Sequence, residues 1–160
     1  MILSIDPGLN GGIAVVDGPM LRQVTSMPTM SWGQQKTIVD SYQLNMLINN
    51  YRVDYGVTAC VVERASARPN QGVTSMFTFG MAYGAVVALM QAHSLSLHLV
   101  TPHMWKKQLH LGSDKNESRQ KAIEMWPDHE PMFKRKKDDG RAEAALIGYW
   151  YEEVFDGTIE

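Results

Sequence analysis

Two acidic residues end segments that otherwise read as buried strands. Asp6 closes the run at residues 2–6, and Glu63 closes the run at residues 58–63; both runs are rich in apolar residues. An unpaired carboxylate in such a place costs on the order of several kcal/mol. If the two strands are parallel neighbours, both acids emerge at the carboxyl edge of a sheet, where open α/β sheets bind ligands. Clustered carboxylates repel each other unless a cation joins them, and Mg²⁺ prefers oxygen ligands of this kind.

Each acid also has a purely structural interpretation. Asp6 belongs to Asp-Pro-Gly, a tripeptide typical of turns, and Glu63 could end its strand beside Arg64. A ligand site therefore requires further acids that converge on the same edge.

Asp139 and Glu143 supply such a pair. They are four residues apart, so on a helix they project from the same face. Residues 144–148 are small and apolar and can pack closely on a sheet. A helix that buries this segment would aim Asp139 and Glu143 at Asp6 and Glu63, forming a pocket of four carboxylates. Alternatively, the acids near this helix start only complement the helix dipole.

The charge of the chain is nearly balanced but unevenly distributed. The formal net charge is −2 and the sequence pI is about 6.2. Basic residues form two clusters, at residues 106–121 and 134–137. A polyanionic partner is compatible with this distribution, because a local patch decides contact electrostatics. The alternative is an ordinary solvated surface.

Hydrophobic periodicity and turn residues divide the chain into strands and helices. Strands are expected at residues 2–6, 13–17, 21–27, 58–63 and 97–100. Helices are expected within 36–50 and at 75–92, 102–108, 114–126 (with Ser113 as N-cap) and 139–154. With the short helix at residues 102–108 left out, the order is βββαβαβαα, which predicts an α/β fold in which residues 1–160 form a single domain around one sheet.

The predicted helix at residues 75–92 is apolar nearly all round, so we expect other elements to cover it on several sides and to bury Phe77. Gly80, Gly84 and Ala88 form a stripe of small residues that permits close approach of the sheet or of a dimer partner, and core packing is the favoured interpretation. The apolar stretch at residues 76–90 is shorter than the roughly 20 residues of a membrane span, so no membrane association is expected.

Cysteine and histidine usage argues against a disulfide scaffold and a zinc site. The single cysteine, Cys60, has no internal partner, and the five histidines are scattered. Since the chain starts with a strand-like segment rather than a signal peptide, we expect a cytoplasmic protein, or a virus-encoded one acting in a host cytoplasm.

Several short motifs occur together along residues 2–149. They are Ile5-Asp6-Pro7-Gly8 with Gly12, Val61-Val62-Glu63, Gly72 to Phe77, Thr101-Pro102 with Trp105-Lys106-Lys107, Lys115, and Lys137-Asp138-Asp139 with Ala142-Glu143-Ala144. In this combination the chain resembles the RuvC-type Holliday junction resolvases of the RNase H-like superfamily, in the versions carried by bacteriophages.

The resemblance implies an RNase H-like fold: a five-stranded mixed sheet, with three antiparallel leading strands followed by parallel ones, and helices on both faces. It implies a homodimer that resolves four-way DNA junctions by paired nicks. It also implies two Mg²⁺ ions per active site (Mn²⁺ being a substitute), which activate a water for in-line attack on a phosphodiester.

The family's catalytic, metal-binding acids fall on Asp6, Glu63, Asp139 and Glu143, and Asp6 would bridge both ions because it comes from the central strand. The chain departs from the family here, because the usual terminal pair is three residues apart rather than four. Asp138 is an alternative to Asp139.

The DNA-binding residues implied by the resemblance lie around these acids. Lys107 and Lys115 match lysines near the scissile phosphate, the loop from Arg64 to Arg68 would touch the DNA backbone, and Phe77 could stack on an unpaired base. The full set is Arg64, Arg68, Phe77, Lys106, Lys107, Lys115 and Lys121.

Three other functions share parts of this pattern. Actin-like and sugar-kinase-like ATPases carry a similar first hairpin but need a second domain, for which 160 residues leave no room. A non-catalytic DNA-binding module of the same fold would lack one or more of the acids. Another RNase H-like nuclease, acting on different branched DNA or on an RNA–DNA hybrid, would differ only in substrate.

Overall fold

The computed structural model describes residues 1–34, 36–64, 66 and 72–155. Its seven strands are β1 (Ile2–Asp6), β2 (Gly12–Asp17), β3 (Met20–Ser26), β4 (Thr29–Trp32), β5 (Lys36–Val39), β6 (Ala59–Glu63) and β7 (Ser96–Val100). Its six α-helices are α1 (Ser41–Tyr55), α2 (Val73–Ala92), α3 (Pro102–Gln108), α4 (Lys115–Met125), α5 (Glu130–Phe133) and α6 (Asp139–Tyr149). The last helix continues as a wider π turn, Trp150–Val154.

Five strands form one mixed sheet in the order β3-β2-β1-β6-β7. β1, β2 and β3 are antiparallel, whereas β1, β6 and β7 run parallel. The predicted fold class is therefore confirmed, and β1 is the central strand. The parallel pairing places Ile5 opposite Val62, so the next residues, Asp6 and Glu63, end their strands side by side at the carboxyl edge of the sheet.

Helices cover both faces of this sheet. One core lies between the sheet and α6, with contributions from α3, α4 and α5, and it contains Trp105, Phe133 and Trp150. The other core joins the opposite face to α1 and α2, and it contains Leu44 and Val86. Successive side chains of a strand point to opposite faces, so β1 and β6 supply apolar residues to both cores.

Close backbone contacts set α6 against the sheet. A Cβ atom added at Gly148 would lie 2.6 Å from Ser4 Oγ, and one added at Gly140 would lie 2.1 Å from the Asn10 carbonyl oxygen. Gly11 and Gly140 also form an isolated β-bridge. The first turn of α6 is therefore fixed beside the β1–β2 turn that follows Asp6.

The prediction of a helix within residues 36–50 was wrong in its first part. A separate hairpin of β4 and β5 precedes α1, and the β-branched run at residues 37–39 belongs to it. Asp40 then caps α1 by accepting a hydrogen bond from the Gln43 N–H at 3.0 Å. Similarly, Asp114 rather than Ser113 is the N-cap of α4, because its carboxylate accepts from the Asn116 N–H.

The expectation that α2 is covered on several sides was also wrong. Its buried residues are Ala82, Val86 and Met90, a single row at helical spacing that faces the sheet. Phe77 is 69% exposed rather than buried. Gly80, Gly84 and Ala88 lie on the exposed side, and Cβ atoms added at the two glycines would meet no atom within 4 Å. The stripe of small residues therefore does not pack in the core of this chain.

α2 is longer than the apolar stretch expected from the sequence. Within the described residues it is the one helix whose 20 residues and mean hydropathy of 1.6 would suffice to cross a membrane. Length and composition alone are weak grounds for that function, because core helices meet the same criteria. In this fold one row of α2 packs on the sheet.

Candidate active site

A cleft of about 660 Å³ opens at the carboxyl edge of β1 and β6. Three acids and three bases from separate elements reach it. The residues that line it are Asp6, Gly8, Leu9, Asn10, Gly11, Glu63, Arg64, Ser66, Phe79, Pro102, Lys106, Ser113, Lys115 and Glu143. The structure thus brings together acids that are up to 137 residues apart in the chain.

Asp6 and Glu63 owe their proximity to the parallel register. Each directly follows the last residue that pairs between β1 and β6, and neighbouring strands are about 4.8 Å apart. The Gly8 N–H donates to Asp6 Oδ1 at 3.4 Å, which keeps the carboxylate within its turn. The Asp-Pro-Gly turn therefore holds the Asp6 carboxylate at the cleft. Asp6 can accordingly be both a turn residue and a residue of the candidate site.

Glu63 is oriented by Trp105, a residue that the sequence analysis did not assign to the site. The indole N–H of Trp105 donates to Glu63 Oε2 at 2.9 Å, and the Trp105 side chain is fully buried in α3. A buried indole needs an acceptor for its N–H, and the carboxylate provides it. The available signal was a tryptophan immediately before the lysine pair at residues 106–107.

Glu143 is nearly buried and is held by two donors. Lys106 Nζ lies 2.6 Å from Glu143 Oε1, and the Ser118 hydroxyl donates to the same oxygen at 3.3 Å. These partners come from α3 and α4, so the glutamate links three helices at the cleft. Burial of a carboxylate requires such pairing, because an isolated charge would be strongly destabilising.

Asp139 and Asp138 face different environments. Asp139 pairs with Lys115, whose Nζ lies 2.7 Å from Asp139 Oδ2, and Lys115 lines the cleft. Asp138 is 1% exposed and forms ion pairs with Arg135 and Arg141 instead. Burial would raise the pKa of Asp138, but hydrogen bonds from the two arginines lower it below the usual range. Asp138 therefore anchors the start of α6, and Asp139 is the neighbour with a link to the cleft.

Asp6 carries the strongest electrostatic signature in the cleft. Burial, together with the nearby carboxylates of Glu63 and Glu143, raises its pKa from the ordinary 3.8 to about 7. The Gly8 N–H and the Lys115 ammonium oppose this increase. An acid that holds its proton near neutral pH marks a concentration of negative charge, which a bound cation would relieve.

The same negative charges favour the charged form of Lys115, whereas they favour the neutral form of Asp6. Burial alone would lower the pKa of Lys115, but its hydrogen bond to Asp139 and the negative charges of Asp139, Glu143 and Asp6 raise it. Lys115 is therefore a firmly charged ammonium group at the cleft.

The acids form no ready-made metal centre. Among the described residues, no three acid, histidine or cysteine side chains are grouped closely enough to hold an ion as they stand. Lys106 and Lys115 neutralise Glu143 and Asp139 in this arrangement. The donor chemistry nevertheless fits a hard divalent cation, since carboxylate oxygens are the ligands that Mg²⁺ prefers and Asp6 has excess negative charge around it.

The predicted DNA-binding cations divide into two groups. Arg64, Lys106 and Lys115 line the cleft, and the Arg64 N–H is tied to the Val100 carbonyl at 2.7 Å. Lys107 is exposed and Lys121 is half-buried on α4, and neither lines the cleft.

The aromatic and loop predictions have different outcomes. Phe77 is exposed on α2 and does not line the cleft, whereas Phe79, two residues later, does. Arg68 lies outside the described residues.

The chain is not detectably similar in sequence to a curated protein, and no protein-family model matches it. Solved structures, in contrast, resemble it closely in fold. RuvC of T. thermophilus in complex with a Holliday junction substrate has a TM-score of 0.62 at 15% identity, over 94% of this chain and 93% of that one.

Two further structures match over most of the chain. Fowlpox virus resolvase in complex with Holliday junction DNA has a TM-score of 0.55 at 15% identity, over 97% of this chain and 100% of that one. The yeast mitochondrial Holliday junction resolvase has a TM-score of 0.50 at 16% identity, over 94% and 77%. The chain therefore has the RNase H-like fold of the RuvC-type resolvases.

Proposed function

We propose that this protein is a divalent-metal-dependent, structure-selective endodeoxyribonuclease that resolves four-way DNA junctions by paired nicks. The observation that carries the proposal is the cleft itself: Asp6, Glu63 and Glu143 reach it from a strand, a second strand and a helix. The fold shared with junction resolvases supports the same activity, and so does the family resemblance of the motifs.

The acids of the cleft have the chemistry for holding two Mg²⁺ ions. Asp6 would be the ligand shared by both, flanked by Glu63 and by Glu143 or Asp139. When bound, the ions would polarise the phosphodiester and lower the pKa of the attacking water. Trp105 fixes the orientation of Glu63, and the close contact of α6 with the β1–β2 turn fixes Glu143 relative to Asp6.

The basic residues of the cleft would bind and orient the DNA backbone. Lys106 and Lys115 each reach an acid within 2.7 Å, so they can exchange that partner for a phosphate oxygen as substrate enters. Arg64 and Lys107 would extend this contact along the strand, as would Lys121 and Arg68. Phe79 lines the cleft and joins Phe77 as a candidate for stacking on an unpaired base.

The proposal includes a homodimer, because paired nicks require two active sites. The exposed side of α2 offers an apolar face for a second copy. Val73 is 84% exposed and Met81 is 36% exposed, and Gly80 and Gly84 on the same helix leave open space. Exposed apolar surface of this kind is typical of interaction sites. The protein would act in the cytoplasm, or in that of a host if it is phage-encoded.

The decisive experiment compares cleavage of four labelled substrates in Mg²⁺: a four-way junction, a Y-fork, a linear duplex and an RNA–DNA hybrid. We expect symmetrical paired nicks on the junction, no cutting in EDTA, and restoration of cutting by Mn²⁺. Asp6→Asn should abolish cutting while junction binding persists without metal. Asp54→Asn, which removes an exposed acid from α1, is the matched control and should cut normally.

Other outcomes would assign a different function. Preferential cutting of the hybrid would indicate an RNase H type of nuclease. Junction binding without cutting in either metal would indicate a non-catalytic module, and full activity of Asp6→Asn would exclude the proposed site.

A further inference from the structure

The four residues at 134–137, Lys-Arg-Lys-Lys, form a turn directly before α6 that we call the basic turn. All four side chains are exposed, those of Lys134 and Arg135 by 75% and 60%. This cluster contributes nothing to the cleft lining, and none of the roles assigned above uses it.

Two cations of the basic turn have no counter-charge among the residues that the structure describes. Arg135 forms an ion pair with Asp138. Lys134 Nζ lies 3.9 Å from Glu130 Oε1, in a long and exposed ion pair. An exposed ion pair of this kind is weak. Within the described part of the chain, no acid forms an ion pair with Lys136 or Lys137. Two ammonium groups are therefore available to an outside partner.

The backbone of the basic turn is fixed even though its side chains are free. Arg119 of α4 donates from Nη1 to the Lys134 carbonyl at 2.8 Å and to the Phe133 carbonyl at 3.2 Å. The Arg135 N–H donates to Asp138 Oδ2 at 2.9 Å, and Phe133 is fully buried. The turn therefore presents its lysines from a rigid base, which reduces the entropy lost on binding.

The basic turn lies next to Asp139, the acid that pairs with Lys115 of the cleft. Lys137 is two residues and Lys136 three residues before Asp139, so their Cα atoms are at most about 7.6 Å and about 11.4 Å from that of Asp139. Asp139 in turn contacts Lys115, a residue of the cleft lining. A DNA strand carries one phosphate charge per about 3.4 Å of helix axis, so these lysines lie within a few nucleotides of a strand held at the cleft.

We infer that Lys136 and Lys137 bind the phosphate backbone of the duplex arm that flanks the cleaved strand. This inference rests on the proposed function. An acidic protein segment could pair with the same charges, but the continuity of the basic turn with Lys115 and Lys106 favours a single polyanion that runs across both. Contacts to phosphate carry no sequence information, so the basic turn would add affinity and positioning rather than base preference.

The test measures binding in EDTA, with Asp6→Asn as the background so that no DNA is cut. Affinity for a labelled linear duplex and for a four-way junction is followed between 50 and 200 mM salt. Adding Lys136→Ala and Lys137→Ala should flatten the slope of log K against log salt by about 1.8 per bound protomer. The loss of affinity should therefore be about twelvefold larger at 50 mM than at 200 mM salt.

The matched control removes two positive charges from the opposite edge of the sheet, by Arg22→Ala and Arg52→Ala. Arg22 is the third residue of β3, and Arg52 lies in the last turn of α1, shortly before β6 begins. Both positions are therefore near the ends of the strands that lie away from the cleft. The control should keep the original slope. In the otherwise unchanged protein, the basic-turn variant should raise KM for junction cutting and leave kcat within about twofold.

The outcomes separate the inference from the proposed function. A basic-turn variant with an unchanged salt slope on DNA that the background protein binds would overturn the inference and leave the nuclease proposal intact. A fall in kcat at saturating DNA would also overturn it, because the lysines would then act in the reaction. If the background protein binds neither DNA, both proposals fail.

Discussion

Replacement of Asp6 by asparagine should stabilise the metal-free protein at neutral pH while abolishing the proposed nuclease activity. The folded protein holds a proton on Asp6 up to about pH 7, whereas the unfolded chain releases it near 3.8. Over that range the native state binds more protons than the unfolded state, so the free energy of unfolding falls as the pH rises. Below pH 4 this penalty in the free energy of unfolding is absent, and above pH 7 it has reached its full size.

The size of the penalty follows from the range of titration. Each pH unit between the two pKa values costs about 1.4 kcal/mol, or about 4 kcal/mol in all. Asp6 is partly exposed at the cleft, and solvent screening reduces the expected gain for Asp6→Asn to about 2–4 kcal/mol at pH 8. For a domain of this size, a gain of 3 kcal/mol raises Tm by roughly 6–12 °C. Asparagine keeps the oxygen that accepts from the Gly8 N–H, so the turn is preserved.

The assay is thermal and urea unfolding of both proteins in EDTA at pH 4.5, 6 and 8. The difference in stability should grow from about a quarter of its full value at pH 4.5 to its full value at pH 8. Mg²⁺ at pH 8 should then stabilise the original protein more than the variant, because only the original keeps the full ligand set. A stability difference that is constant with pH would refute the electrostatic reasoning. Asp54→Asn serves as the control for loss of an exposed carboxylate.

Three further predictions concern packing and assembly. In urea unfolding, Gly148→Ala should destabilise the protein by about 1–3 kcal/mol, because the added Cβ would meet Ser4 and Val16. Gly80→Ala, on the exposed side of α2, should be neutral or stabilising by up to about 1 kcal/mol in the same measurement. Trp105→Phe removes the hydrogen bond to Glu63, so single-turnover cleavage should slow at least tenfold while DNA affinity stays within about twofold. Unchanged cleavage would mean that Glu63 needs no orienting partner. Gly84→Arg should convert the proposed dimer to a monomer in sedimentation without loss of folding. A dimer that persists in this variant would place the interface elsewhere than α2.

Local patterns in the sequence were sufficient to predict the strands of the main sheet, whereas its mixed topology was implied by the family resemblance. Residues 2–6 and 58–63 are apolar runs of strand length that end in an acid, and the connection between them is long enough for a crossover. Parallel pairing of such strands puts their ends at one edge. The spacing of Asp139 and Glu143 gave the shared helix face by the same kind of local geometry.

The choice between Asp138 and Asp139 was not available from the sequence. Consecutive residues at a helix start point about 100° apart, so one faces the cleft side and the other faces away. The contact of Gly140 with the Asn10 carbonyl fixes the rotation of α6 and hence which acid is turned to Lys115. That contact joins residues 130 positions apart, and no local pattern encodes it.

The environment of α2 likewise depends partly on the local sequence and partly on the tertiary structure. Its composition predicts a helix that buries apolar surface, and the sequence determines this because side-chain hydrophobicity is a property of each residue. Only the tertiary structure decided that one row, Ala82, Val86 and Met90, meets the sheet and that Phe77 stays exposed. Apolar side chains favour burial, but packing between distant parts of the chain decides which elements bury them.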